Sequence, residues 1–372
     1  VARSPNQLLN GLRVLDLSLW QPGHYATQLL ADLGAEVIKI EPPGGDRMRP
    51  LADRFANFNG RKRSLVLDLK NSDDYATLLD LLADVEVLVE NYRPGVAAKL
   101  GVDFERLHPI KPELVVCSIT GFGQGGPLAA VTGHDANYQA YAGAMSMIDG
   151  QPPVPAGLLV GDQGSGLVAA FAILAAVLCA RRTGEGEHID VSMADLLATW
   201  VAPLGPVDDR RPTTSQDGVT GEAPAMGLFA TADDHWVVLG VFSENHFWDA
   251  LCSGLGLQQH VGLTMRDREA QATPLRADLT AQIARHTRDE LLRNLGAMGV
   301  PIAPVLTRSE MLQHDHFRKR GVLTVGPEGY LMVGHPVRYA VHPALPPGSA
   351  PRLDEYAQRS SDLPVGDNHE LE

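Results

Sequence analysis

The sequence predicts an α/β fold built on a mostly parallel sheet. From Gly11 to Ser118, short β-rich apolar runs alternate with stretches of helical spacing. The chain, 372 residues with 44% hydrophobic composition, is also long enough to bury a sizeable core and to form two domains.

The first run, Gly11-Leu-Arg-Val-Leu-Asp-Leu-Ser18, ends in a polar turn. Tyr25 to Leu33 follows with helical spacing and is closed by Gly34, and Ala35-Glu-Val-Ile-Lys-Ile-Glu41 is a second strand, completing a βαβ unit. Further strands are predicted at Ser64–Leu69, Val85–Val89 and Leu114–Ser118, with a helix at Asp73–Ala83 and a short one before Leu114. Such alternation requires right-handed crossovers. Beyond Pro203 the pattern changes. Residues 203–224 are rich in Pro, Gly, Thr and Asp without periodicity, as a linker is. Leu228–Val241 then reads as two strands joined by Asp233-Asp234-His235, with helices at Asn245–Gly254 and Thr287–Gly299.

Parallel sheets bind ligands beyond the carboxyl ends of their strands. The first strand leads into Leu19-Trp-Gln-Pro-Gly-His-Tyr25, which is not the glycine pattern of a dinucleotide site. The second leads into Glu41-Pro-Pro-Gly-Gly-Asp46, followed by Arg47, Arg49, Arg54 and Arg61-Lys62-Arg63. This basic cluster in an acidic chain suits phosphate contacts; an ordinary solvated charged face has the same pattern. The strand at Val85–Val89 leads into Glu90-Asn-Tyr-Arg-Pro-Gly95, where Pro94 is placed to open a helix.

The stretch Gly133-His134-Asp135-Ala-Asn-Tyr138, with Gly161-Asp162-Gln-Gly-Ser-Gly166 after a Pro-rich passage, is the candidate centre. Histidine and aspartate set close to helix starts supply acid, base or nucleophile. Those residues alone fit equally a polar turn at His134-Asp135 and a capping role for Asp162.

Composition excludes several functions. A formal charge of −14 disfavours nucleic-acid binding. The longest apolar run, Leu167–Ala180, suits a buried helix and not a membrane span, and Val1–Gln7 carries no signal-peptide core, so a cytoplasmic protein is expected. Cys117, Cys179 and Cys252 match no metal or redox spacing and read as buried free thiols, so no metal is expected.

The ordered blocks Gly11–Leu17, Leu30–Glu41, Pro42–Asp46, Lys62–Lys70 and Val89–Val96 resemble the family III CoA-transferase superfamily, whose members include formyl-CoA transferase, carnitine CoA-transferase and α-methylacyl-CoA racemase. The resemblance continues through Gly121–Pro127, Gly133–Tyr138, Gly161-Asp162 and Arg182–Met193. It implies a large Rossmann-like CoA-binding domain (1–202), a linker (203–224), a smaller α+β domain (225–325) and a return to the large domain (326–372). Two such chains would interlock as a homodimer. It also implies an acyl-CoA substrate and no cofactor beyond the CoA moiety. Arg47, Arg49, Lys62, Arg63, Leu67, Lys70, Asn91 and Arg93 fall in blocks that contact CoA in such proteins.

Two chemistries follow from the resemblance. In the transferases the aspartate matching Asp162 forms a mixed anhydride and then an enzyme-CoA thioester. In the racemases that aspartate and a histidine face each other across the α-carbon, and a glutamate orients the histidine. Gly133-His134-Asp135-Ala-Asn-Tyr138 resembles the racemase form, since transferases usually carry Tyr or Phe at position 134. Glu244 is the matching glutamate, displaced by one residue from the family spacing. The opening half, with Val37-Ile-Lys-Ile-Glu-Pro-Pro-Gly-Gly-Asp46, looks more like the transferases. Racemisation of 2-methylacyl-CoA, with His134, Asp162, Glu244 and Asp135 as the catalytic set, is therefore the expectation; CoA transfer through Asp162 is the alternative, and a CoA-binding scaffold without catalysis is the third reading, against which the intact His134 and Asp162 argue.

Overall fold

The computed structural model describes residues 7–145, 152–202, 223–326 and 328–357. Of the sequence expectations, the linker up to residue 222 and the tail from 358 onward lie outside them.

The chain divides into two compact units. The first takes the described residues up to Ala144, those from Pro155 to 202, and those from Asp315 on; the second takes 145, 152–154 and the described residues from 223 to His314.

In the first unit, β1 (Arg13–Asp16), α1 (Gln21–Asp32) and β2 (Glu36–Glu41) form the expected βαβ unit. They are followed by α2 (Ala52–Asn59), β3 (Arg63–Val66), α3 (Ser72–Leu82), β4 (Val87–Glu90), α4 (Val96–Leu100), α5 (Phe104–Leu107) and β5 (Val115–Thr120). Then come α6 (Asp135–Tyr141), α7 (Val160–Thr183), β6 (His188–Ser192) and α8 (Met193–Val201). The six strands are all parallel in the order β3-β2-β1-β4-β5-β6. The order reverses between β1 and β4, the switch point at which open α/β sheets leave a crevice for ligand. Both sheet faces are apolar and covered. Val14, Val37, Val89, Cys117 and Ile119 pack on α1 and α7, while Leu15, Ile38, Leu88 and Val116 pack against Leu78, Leu82 and Leu107 of α3 and α5.

Helix α7 has 24 residues and is apolar on every side, long and apolar enough to cross a membrane by length and composition. Ala169, Ile173 and Val177 are buried in the core, whereas Leu167, Phe171 and Leu178 are 54%, 73% and 70% exposed. The helix expected to be buried therefore has one uncovered face within the chain, and Cys179, expected inside, lies on exposed surface. Three glycines set how closely α7 packs. A Cβ at Gly166 would fall 2.7 Å from the Pro22 carbonyl of α1, at Gly164 2.6 Å from the Trp200 ring of α8, and at Gly161 2.8 Å from Asp135 Oδ1.

The second unit contains β7 (Met226–Ala230), β8 (Trp236–Gly240), α9 (Asn245–Gly254), α10 (Met265–Ala270), α11 (Ala272–Ile283), α12 (Arg288–Ala297), β9 (Ile302–Pro304) and α13 (Arg308–Gln313). Its antiparallel sheet, β7-β8-β9, presents Phe229, Val237 and Leu239 to Trp248, Leu251, Leu279 and Leu295. The turn expected at Asp233-Asp234-His235 joins β7 to β8, with Asp234 at φ 57°, a conformation aspartate tolerates. Thr264, Thr287 and Thr307 each begin a helix with a reciprocal side-chain cap from Asp267, Glu290 and Glu310.

The chain returns to the first unit with α14 (Asp315–Lys319), β10 (Leu323–Val325) and β11 (Leu331–Val333). The returning segment docks beside β3: Asp354 accepts from the Val66 N–H at 2.9 Å, and the Ser349 carbonyl accepts from the Arg61 N–H at 2.9 Å.

Candidate active site

Helices α6 and α7 bring the two halves of the predicted centre together. His134 is the N-cap residue of α6, exposed, with its backbone N–H donating to Asn137 Oδ1 at 3.0 Å. Asp135, the first helical residue, is 5% exposed. Its Oδ1 accepts from the Asp162 backbone N–H at 2.9 Å, and its Oδ2 accepts from Gln139 Nε2. Asp162 does not cap α7. The helix starts at Val160 with Leu159 as N-cap, so Asp162 stands inside the first turn, where its negative charge suits the positive end of the helix.

The carboxyl of Asp162 is nevertheless pushed up to about 7, first by burial and then by the neighbouring charge of Asp135. Tyr138 closes the same neighbourhood. Its hydroxyl donates to the Gly133 carbonyl at 2.5 Å, its ring lies where a Cβ at Gly121 would sit, and burial with the charge of Asp162 raises its pKa, while Arg93 lowers it. The residues gathered here are thus Asp135, Tyr138, Gln139 and Asp162, with Arg93 within electrostatic reach. A carboxyl poised near neutrality is suited to exchanging a proton.

Glu244 belongs to the second unit. It is the N-cap residue of α9, and its Oε2 accepts from the Phe242 N–H at 3.2 Å.

The eight residues expected to hold CoA differ in how far they are free to meet a ligand. Arg47, Lys70 and Arg93 are exposed. Lys70 lines a cleft of about 400 Å³ with Lys99 and Arg106, two cations that sequence reading passed over, between the start of α3 and the end of α4. Asn91, half-buried, accepts from the Leu19 N–H at 2.9 Å and holds the loop after β1. The other four are engaged with the protein. Arg49 pairs with Glu41 through two 2.6 Å hydrogen bonds and stacks on Phe55, and Arg63 pairs with Glu36 at 3.0 Å. Leu67 is a core residue.

Lys62 departs furthest from expectation. At 2% exposed, it donates to Asp16 Oδ2 at 2.9 Å, to Thr27 Oγ1 and Asn59 Oδ1 at 2.8 Å, and to the His24 carbonyl at 3.1 Å. Beside it Lys39 pairs with Asp46 at 2.8 Å, and His24 Nε2 lies 2.9 Å from both. Burial lowers His24 to about 4, helped by the charge of Lys39, so the ring is neutral. Burial alone would raise the Asp16 carboxyl, but Lys62 and Lys39 outweigh it and hold Asp16 well below the usual carboxylate range. This fully buried ionic cluster braces the carboxyl ends of β1 and β2 from within. No local pattern marks it in the sequence, since its partners are up to 46 residues apart.

Comparison with known proteins fits this architecture. A family model described as CoA-transferase family III matches residues 9–356. The chain is 33% identical to acetyl-CoA:oxalate CoA-transferase of Acetobacter aceti, with 94% of each chain covered. It is 33% identical to α-methylacyl-CoA racemase of Homo sapiens, covering 84% of this chain and 81% of that one. A crystal structure of a CAIB/BAIF family protein from Brucella suis superposes with a TM-score of 0.84 at 28% identity, over 96% of this chain and 99% of that one. With the doubly wound sheet and the paired α6 and α7 helix starts in place, these matches establish that the chain belongs to CoA-transferase family III.

Proposed function

We propose that the protein racemises 2-methylacyl-CoA thioesters by removing the α-proton and returning it on the opposite face. The observation that carries this reading is the Asp162 carboxyl, raised to about 7 and set beside Asp135, with the exposed imidazole of His134 at the adjoining helix start. An α-proton next to a thioester is weakly acidic, so racemisation needs a base on each face. A carboxyl poised near neutrality and an imidazole, which serves as acid or base near pH 7, meet that need. Asp135 acts through Asp162, and Glu244 is proposed to orient the imidazole. No group beyond the chain's residues and the substrate's CoA moiety takes part.

The second reading is CoA transfer through an aspartyl anhydride at Asp162. It is favoured by the match to acetyl-CoA:oxalate CoA-transferase, which covers more of the chain than the racemase match does. Incubation with 2-methylacyl-CoA in deuterated water, with and without a free acid and with hydroxylamine as a trap, separates the two. Deuterium at the α-carbon without hydroxamate is expected. Hydroxamate at Asp162 without α-exchange would replace the racemase by the transferase, and CoA binding with neither signal would leave a binding protein.

CoA is proposed to anchor through Lys70, Lys99, Arg106 and Arg93. Phosphate contacts of this kind are screened by salt. CoA affinity should fall as salt rises, and fall again in Lys70→Ala and Lys99→Ala; calorimetric titration giving one affinity at all salt concentrations would remove the assignment. The functional unit is proposed to be a homodimer in which Glu244 of one chain serves His134 of the other. Light scattering should give twice the chain mass, and a monodisperse monomer would rule the arrangement out.

A further inference from the structure

We propose that Gln139 is a positioning residue for Asp162, its side-chain amide bridging Asp135 to the Ala156 backbone and so fixing the carboxylate from which the first turn of α7 hangs. The inference rests on the reading that Asp162 carries the chemistry. Gln139 is 1% exposed, and a buried primary amide must find partners at both ends. Its Nε2 donates to Asp135 Oδ2, one helical turn before it on α6, and its Oε1 accepts from the Ala156 N–H at 2.8 Å.

Each link has a structural consequence. The first N–H groups of a helix lack partners within it. In α7 one of them, the Asp162 N–H, is satisfied by Asp135 Oδ1 at 2.9 Å. The direction in which Asp162 leaves its backbone is therefore set by a carboxylate on another helix, and Gln139 holds that carboxylate's second oxygen. The other end of the amide acts on the chain path. After Ala144 the chain leaves the first unit, to re-enter it at Pro155. Ala156 is the second residue after re-entry, so its bond to Gln139 ties the returning segment to α6 just ahead of α7. Without the amide, Asp135 would keep only the backbone N–H of Asp162 and could turn away from it. The charged and titratable groups facing Asp162 are Asp135 and Tyr138, and Tyr138 in turn faces Arg93, so a displaced Asp135 changes the field at Asp162 most directly.

The test uses the full-length chain as Gln139→Leu, Gln139→Glu and Asp135→Asn, with carboxyl carbon NMR of labelled aspartate to titrate Asp162 and steady-state kinetics on 2-methylacyl-CoA. In Gln139→Leu the Asp162 midpoint should fall toward the ordinary carboxylate range, in the same direction as in Asp135→Asn, where the neighbouring charge is deleted. The kcat should drop roughly ten-fold or more while KM stays within about two-fold. Gln139→Glu keeps the size but sets a second carboxylate against Asp135, so kcat should fall as in the leucine variant while the added negative charge moves the Asp162 midpoint upward; it decides the matter if the leucine variant melts early. A wild-type midpoint and wild-type kcat in either folded variant would overturn the proposal. If the wild-type protein yields hydroxamate and no α-exchange, the racemase reading falls, while the Asp162 titration still decides the role of Gln139.

Discussion

Asp162→Ala is expected to abolish turnover in every assay, whereas His134→Ala should separate the two chemistries. Both mechanisms draw on Asp162, as one of two bases or as nucleophile, and its neighbour Asp135 is not placed to replace it, because both of its oxygens are committed, to the Asp162 N–H and to Gln139. The histidine takes part only in proton transfer. Its loss should lower α-proton exchange by about 10²–10⁴-fold, the usual contribution of a general acid or base. A transferase lacking His134 would still form its anhydride. The measurement is deuterium incorporation at the α-carbon by mass spectrometry, run beside chiral analysis of the acyl product. Robust CoA transfer by His134→Ala, with hydroxamate at Asp162 and no exchange in the wild-type protein, would sink the racemase reading.

The second large effect is on stability. Lys62→Met should destabilise the protein by about 3–5 kcal/mol, because removing one partner of a buried pair strands the other charge. The stranded group is Asp16, which is fully buried and would retain Thr27 and Ser18 as hydrogen-bond partners, with the charge of Lys39 acting without direct contact. The sign of the pH dependence follows from its depressed pKa. In the wild-type protein the Asp16 contribution is fully present above the ordinary carboxylate value and is lost as pH falls through the lower, folded value. In the variant, protonating Asp16 removes the stranded charge. The stability gap between the two proteins should therefore narrow as the pH is lowered, which denaturant melts at several pH values would measure. A gap that is constant with pH, or smaller than about 1 kcal/mol, would mean that the pair is not the brace its geometry describes.

Much of the large unit was legible because its signals are local. The βαβ opening, the helix at α3 and the strands β4 and β5 each show in apolar period and turn residues within one short window. The second unit's hairpin and the helices α9 and α12 are equally local. The candidate centre was legible as two glycine-flanked motifs, since helix starts are marked by their own residues. What escaped were partnerships across long separations. Lys62 read as a surface cation because nothing near it in sequence shows that Asp16 will enclose it, whereas Arg49 read as one although its partner Glu41 lies close by, because proximity in sequence does not show which side chain will turn inward. Lys99 and Arg106 were overlooked because their link to Lys70 exists only once α3 and α4 lie side by side. Gln139 was passed over because a glutamine just beyond a His-Asp motif looks like any helix surface residue until burial and two hydrogen bonds give it work.

The glycines at the head of α7 bear on how this protein could be re-engineered. Position 166 meets a main-chain carbonyl that cannot yield, position 161 meets Asp135, held by its own hydrogen bonds, and position 164 meets the far end of the Trp200 side chain, which is 49% exposed. A randomised library spanning 161–166 should accordingly return glycine alone at 166, lose activity before stability at 161, and accept small side chains at 164. The turn that carries Asp162 has almost no room to vary. New acyl preferences would have to be selected on other elements, so a directed-evolution campaign that spared this turn would sacrifice little of the sequence space in which improved variants can occur.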